Sequence, residues 1–165
     1  MPLRRAFPPE ETFAETVPPF SATASAFPSA NAAMGIRLPK RYRPVALTNL
    51  GVYIGTASGN IDLGVYTWDG SQFVRQASTG STAASGSNAI QKIAPGSVLT
   101  YDGRADVWLF VAADNTTVTM ARLSGSAAIT NLANRGVLKT SAFPLPSTIS
   151  GAGSTATPIW IYGGP

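Results

Sequence analysis

The sequence predicts an all-β fold: an antiparallel, jelly-roll-like β-sandwich of about nine strands, preceded by an extended Pro-rich N-terminal arm. Three observations point there. Short apolar runs alternate in period two and no helical period lasts beyond two turns, turn residues punctuate these runs at short intervals, and 13 prolines and 16 glycines are spread through 165 residues.

The arm is residues 1–30 and the sandwich domain residues 31–165, the latter including a Pro/Gly-rich C-terminal return. Pro2, Pro8, Pro9, Pro18, Pro19 and Pro28 remove backbone donors and disfavour helix, so the arm is extended. Phe7, Phe13, Phe20 and Phe27 recur every six or seven residues, which suits grooves on a partner or neighbouring subunit; the other reading is a flexible leader. Fully extended, such an arm reaches on the order of 100 Å. Deleting residues 2–30 is expected to leave a folded domain.

Strands are expected over 32–38, 45–55, 61–68, 71–76, 88–93, 97–101, 105–113, 116–123 and 158–162. In 45–55 the apolar phase shifts between Val45/Leu47 and Leu50/Val52/Ile54, which requires a bulge or bend near Thr48-Asn49. Asp69-Gly70 lies between two strand-like runs and predicts a hairpin, and Ser58-Gly59-Asn60, Asp102-Gly103 and Asp114-Asn115 predict further turns. Residues 77–87 (ASTGSTAASGS) read as a surface loop, and 144–158 as a long extended return to the last strand.

Composition narrows function. Cysteine and histidine are absent, which removes thiol chemistry and the commonest general base and metal ligand. Charged residues make up only 12%. Six of the twelve basic residues fall in the first 45, leaving the body almost neutral, whereas a nucleic-acid binder would carry a basic stripe on its folded part. Arg37, Lys40, Arg41 and Arg43 form the basic cluster RLPKRYR, which could meet phosphates, but a cluster this short is more often a solvated segment or a contact with an acidic protein surface. No stretch has the ~20 apolar residues of a membrane helix, and the start of the chain lacks a signal core, so synthesis and folding in a cytoplasm are expected. No Ser–His pair, nucleophile elbow or phosphate loop is present. No catalytic residue, metal or cofactor is assigned, and glycan hydrolysis by two carboxylates is the one activity worth testing.

The stretch GNIDLGVYTWDG (59–70) carries the candidate binding face. Alternation puts Ile61, Leu63 and Val65 in the core, and Asp62, Tyr66 and Trp68 on the opposite face. Those three form a candidate glycan or interface face, a sugar's C–H side stacking on the rings. The competing reading is packing, with Trp68 covering the sandwich end and Tyr66 pairing across strands. Trp108, in a run apolar on both faces, is expected in the core or at an interface.

The runs NIDLGVYTWDG, STGST, APGSV, ADVWLFVAADNTT and FPLPSTI together resemble a β-sandwich domain of structural proteins of tailed bacteriophages, over roughly residues 31–162. The resemblance implies a jelly-roll-like fold of the kind used in capsid decoration proteins, tail fibres and adhesins. It also implies location in the virion, contacts with other capsid or tail subunits, homo-oligomers that are often trimeric, and in some members a host-surface glycan. It implies no enzyme. Lacking a coiled coil or collagen-like repeat, the chain fits a small protein attached to the shell or tail by its own arm better than a fibre.

Overall fold

A computed structural model of the chain describes residues 14–15, 22–39, 44–102, 105–123, 136–155 and 158–165. Within these, every regular element is a β-strand and all pairings are antiparallel. The strands are β1 (Ala14–Glu15), β2 (Ala22–Ala26), β3 (Ala32–Arg37), β4 (Val45–Leu47), β5 (Asn49–Thr56), β6 (Asn60–Trp68), β7 (Phe73–Ser78) and β8 (Thr82–Ala83). They continue with β9 (Ala89–Ile93), β10 (Leu99–Tyr101), β11 (Val107–Ala113), β12 (Thr119–Leu123), β13 (Gly136–Lys139), β14 (Thr148–Ile149), β15 (Gly153–Ser154) and β16 (Ile161–Gly164).

One sheet runs β1-β16-β5-β12-β2 with β9 on the other edge of β5, and a second runs β14-β7-β6-β11-β3-β13-β15 with β8 beside β6. A small sheet pairs β10 with β4. Apolar side chains of both large sheets meet in one core: Met34, Ile36, Ile61, Leu63, Val65, Leu109 and Val111 from the second, and Leu50, Val52, Ile54, Met120 and Ile161 from the first. Every one of these is at most 2% exposed.

All nine expected strand regions contain strand, and the total exceeds nine because short elements such as β2, β8 and β13–β15 add to sheet margins. The phase shift in 45–55 is a true break. Thr48 separates β4 from β5, and the two halves join different sheets while Val45, Leu47, Leu50, Val52 and Ile54 all stay buried. The hairpin at Asp69-Gly70 joins β6 to β7, with Trp68 opposite Phe73 and Gly70 at φ +105°. At the β11–β12 turn, Asn115 Oδ1 accepts from the amides of Thr117 and Val118.

Two expectations change. Residues 22–27, expected in the arm, belong to the body: β2 pairs with β12, the Phe27 amide donates to the Val118 carbonyl at 3.1 Å, and the Phe27 side chain is 2% exposed in the main core. Burying that ring at home outweighs presenting it to a partner. The 77–87 segment is also more than a surface loop. Its start completes β7, and Thr79 exchanges hydrogen bonds with Leu63, its amide donating to the Leu63 carbonyl and its hydroxyl accepting from the Leu63 amide.

The central strands β3, β6 and β11 are buried on both faces. Their outer face carries Ala33, Gly35, Gly64, Tyr66, Phe110 and Ala112, and residues 142–149 lie over it, with Ala142, Leu145 and Ile149 each 2% exposed. Leu145 can approach only because position 64 is glycine: a Cβ there would stand 2.7 Å from Leu145 Cδ1.

Candidate functional site

The covering segment, FPLPSTI (143–149), holds Pro144 and Pro146, which cannot donate to a sheet ladder. Its remaining backbone groups still need partners once buried, and side chains on the sheet supply them. The Leu145 amide donates to Asp62 Oδ2 at 3.0 Å, the Arg75 guanidinium donates to the Leu145 carbonyl, and the Tyr66 hydroxyl donates to the Pro146 carbonyl at 2.6 Å. The Arg75 amide donates to the Ser147 carbonyl at 2.9 Å, after which β14 joins the edge of β7. The segment is therefore a strap, latched by groups from β6 and β7.

Asp62 is 1% exposed, and the Thr79 hydroxyl donates to its Oδ1 at 3.3 Å. Burial pushes its carboxyl above the ordinary value, against the opposing pull of the Leu145 amide, the Thr79 hydroxyl and the Arg75 charge. Tyr66 is fully buried, its ring centroid 4.6 Å from that of Phe110, and burial pushes its hydroxyl upward as well.

The candidate face of Asp62, Tyr66 and Trp68 is thus corrected. Alternation placed all three on the outer side of β6, as found, but the strap seals Asp62 and Tyr66 beneath it. Only Trp68, 40% exposed, reaches the surface. Asp69 is turn chemistry: its Oδ1 accepts from the Ser71 and Gln72 amides at 2.8 and 2.9 Å, and those bonds hold its carboxyl below the usual carboxylate range.

Of the arm and basic-cluster candidates, Phe27 lies in the core and Arg37 pairs with Asp106 at the end of β3. Phe7, Phe13, Phe20, Lys40, Arg41 and Arg43 lie outside the described residues.

The strap leaves one end of the outer face open. There Trp68 packs against Phe73 at 4.7 Å between centroids with the rings tilted by 55°, and Phe73 meets Trp108 edge-on at 4.9 Å. Trp108 lies opposite Arg37 on β3 and opposite Tyr66 on β6, and the Trp68 amide donates to the Asp106 carbonyl at 3.3 Å. Trp108, expected in the core or at an interface, is partly buried and backs this end. Beneath the same end, on the inner side, a pocket of about 170 Å³ is lined by Leu47, Val65, Leu99, Tyr101 and Val107.

Comparison with protein families, curated proteins and solved structures finds no match. Function must therefore be argued from this chain's own geometry. Among the described residues no cluster of three or more acidic, His or Cys side chains could hold a metal, and no helix is long and apolar enough to cross a membrane.

Sequence reasoning missed Arg75, Thr79 and Asp106. Arg75 acts on a segment some seventy residues away, and Thr79, in a Ser/Thr-rich run, acts on Asp62 and Leu63 of β6. The signal that could have found the latch was the Pro-x-Pro spacing of the strap, which leaves a buried extended segment dependent on side-chain partners.

Proposed function

We propose that the chain is a non-enzymatic structural protein of a bacteriophage virion, decorating or cementing the capsid, or the tail, through its N-terminal segment. The two large sheets form a jelly-roll-like sandwich in this reading, and the protein assembles with capsid or tail subunits as a homo-oligomer, a trimer by the resemblance noted above. The observation that carries it is the rim position of β1. Ala14 and Glu15 add to the outer side of β16 at the margin of a sheet, so this strand lies at a sheet edge that a neighbouring subunit can reach. A body held by a latched strap, with few charges and no thiols, suits a particle built from many copies.

The test separates anchor from fold. Deleting residues 2–13 leaves β2 and Phe27 in place, so the variant unfolds near the wild-type temperature but is missing from purified particles. Deleting residues 2–30 instead removes β2 and Phe27, and costs about 3–5 kcal/mol for the lost ring alone. Full incorporation of the 2–13 deletion would contradict the proposal.

A second reading is favoured by one observation, the exposure of Trp68 at the open end of the sheet: a glycan-binding adhesion module, acting on the host surface. It is compatible with the first, because the rim and the Trp68 end are different parts of the surface.

A further inference from the structure

We infer that the open end of the β6–β11–β3 face binds a neutral saccharide, with the Trp68 indole as the stacking platform and the Arg37–Asp106 pair as the clamp for its hydroxyls. This rests on the adhesion-module reading; it keeps Trp68 of the face that alternation suggested and sets Arg37 and Asp106 in place of the buried Asp62 and Tyr66.

The strap sets the boundary of the site. It holds Asp62, Gly64 and Tyr66 beneath Leu145 and Pro146, then joins the edge of β7, leaving Trp68 exposed and Trp108 only partly buried beside it. The exposed indole is rigidly backed, since Phe73 supports Trp68 and is itself wedged against Trp108 and Phe110. A ligand stacking there has little side-chain freedom to freeze out. Aromatic faces are electron-rich, so they attract the polarised C–H groups on one side of a pyranose ring.

A bare aromatic shelf would not distinguish a sugar from an aliphatic side chain. The neighbouring charges do. Sugar hydroxyls both donate and accept, and vicinal pairs of them match a group of donors set beside a group of acceptors. Arg37 offers guanidinium N–H donors and Asp106 carboxylate acceptors, and each is only partly covered, with side chains 36% and 39% exposed. Their mutual ion pair fixes both before a ligand arrives, and cross-strand pairing puts Arg37 beside Trp108. Because the pair is neutral overall, it selects a neutral sugar over an acidic one. The Trp108 Nε1–H is buried with no acceptor among the described residues, a donor that a bound hydroxyl could engage after a small adjustment.

The test is binding of the full chain to an array of neutral and acidic glycans, followed by titration of the best binder. The wild type is expected to bind neutral glycans, Trp68→Ala to weaken binding by at least about tenfold, and Asp106→Asn to weaken it while thermal unfolding stays near wild type. Ile90→Ala, at an exposed residue on β9, should bind normally. Binding confined to acidic glycans, or undiminished in both Trp68→Ala and Asp106→Asn, overturns this site but leaves the adhesion reading standing. No binding by the wild type to any glycan overturns the adhesion reading and the site with it.

Discussion

Gly35→Ala is expected to destabilise the protein by about 3 kcal/mol, the upper end of ordinary overpacking, which for a chain of this size lowers the melting temperature by about 6–12 °C. A Cβ at position 35 would stand 2.2 Å from Phe110 Cζ and within 2.5 Å of both neighbouring ring carbons. Neither partner can retreat. β3 is paired on one side with β11 and on the other with β13, and the Phe110 ring is boxed in by Tyr66 at 4.6 Å and Phe73 at 5.2 Å. Phe110→Ala alone should cost about 3–5 kcal/mol through the cavity it leaves. The double variant should be less destabilised than the two single changes added together, because the new methyl occupies space the ring has vacated. Chemical denaturation of all four proteins measures this coupling, and strict additivity would show that the ring does not lie over Gly35.

Asp62 separates two kinds of loss. Asp62→Ala leaves the Leu145 amide, which is flanked by two prolines, buried without an acceptor. A cost of about 1–3 kcal/mol is expected. Asp62→Asn retains a carbonyl acceptor for Leu145 and should be much milder. Asp and Asn at position 62 also respond differently to pH. Burial raises the Asp62 carboxyl above 3.8, so the folded state favours its protonated form. A raised acid contributes most to stability at low pH, and that contribution falls as pH rises from the unfolded value through the folded one. Asn does not ionise, so its stability relative to wild type should improve between about pH 3 and pH 7. A relative decline over that range would show that the latch depends on the carboxylate's charge.

Local chemistry made much of the fold legible. Ile61, Leu63 and Val65 alternate because β6 lies between two environments, Asp69-Gly70 turns because its carboxylate caps Ser71 and Gln72, and the phase shift at Thr48 marks a chain leaving one sheet for another. Each of these is a short-range signal. What remained hidden depends on partners far along the chain. Alternation sent Asp62 and Tyr66 to the outer face, where they are, but could not show that residues 142–149 cover it, because those contacts join positions 80 or more apart. Phe27 was read with the arm because its proline-rich, Ala/Ser-rich surroundings carry no strand pattern. β2 exists through its pairing with β12 and through the core that takes in Phe27. The short strands β13–β15 are likewise made by edges that recruit them, against weak local preference.

Tyr66 is committed to the Pro146 carbonyl, so the aromatic surface of the 59–70 stretch reduces to Trp68, and its neighbours Trp108, Arg37 and Asp106 arrive from β11 and β3 rather than from the hairpin itself.

The saccharide site depends on the strap sealing the outer face of β6 and leaving its Trp68 end open. Amide hydrogen exchange at Leu145 tests this most directly, because that N–H lies in a segment without regular pairing and is held by Asp62 alone. The predicted result is protection comparable with that of the core amides of β11, lost in Asp62→Ala. Exchange in the wild type at the rate of an exposed amide would show the face open, and would contradict the latch.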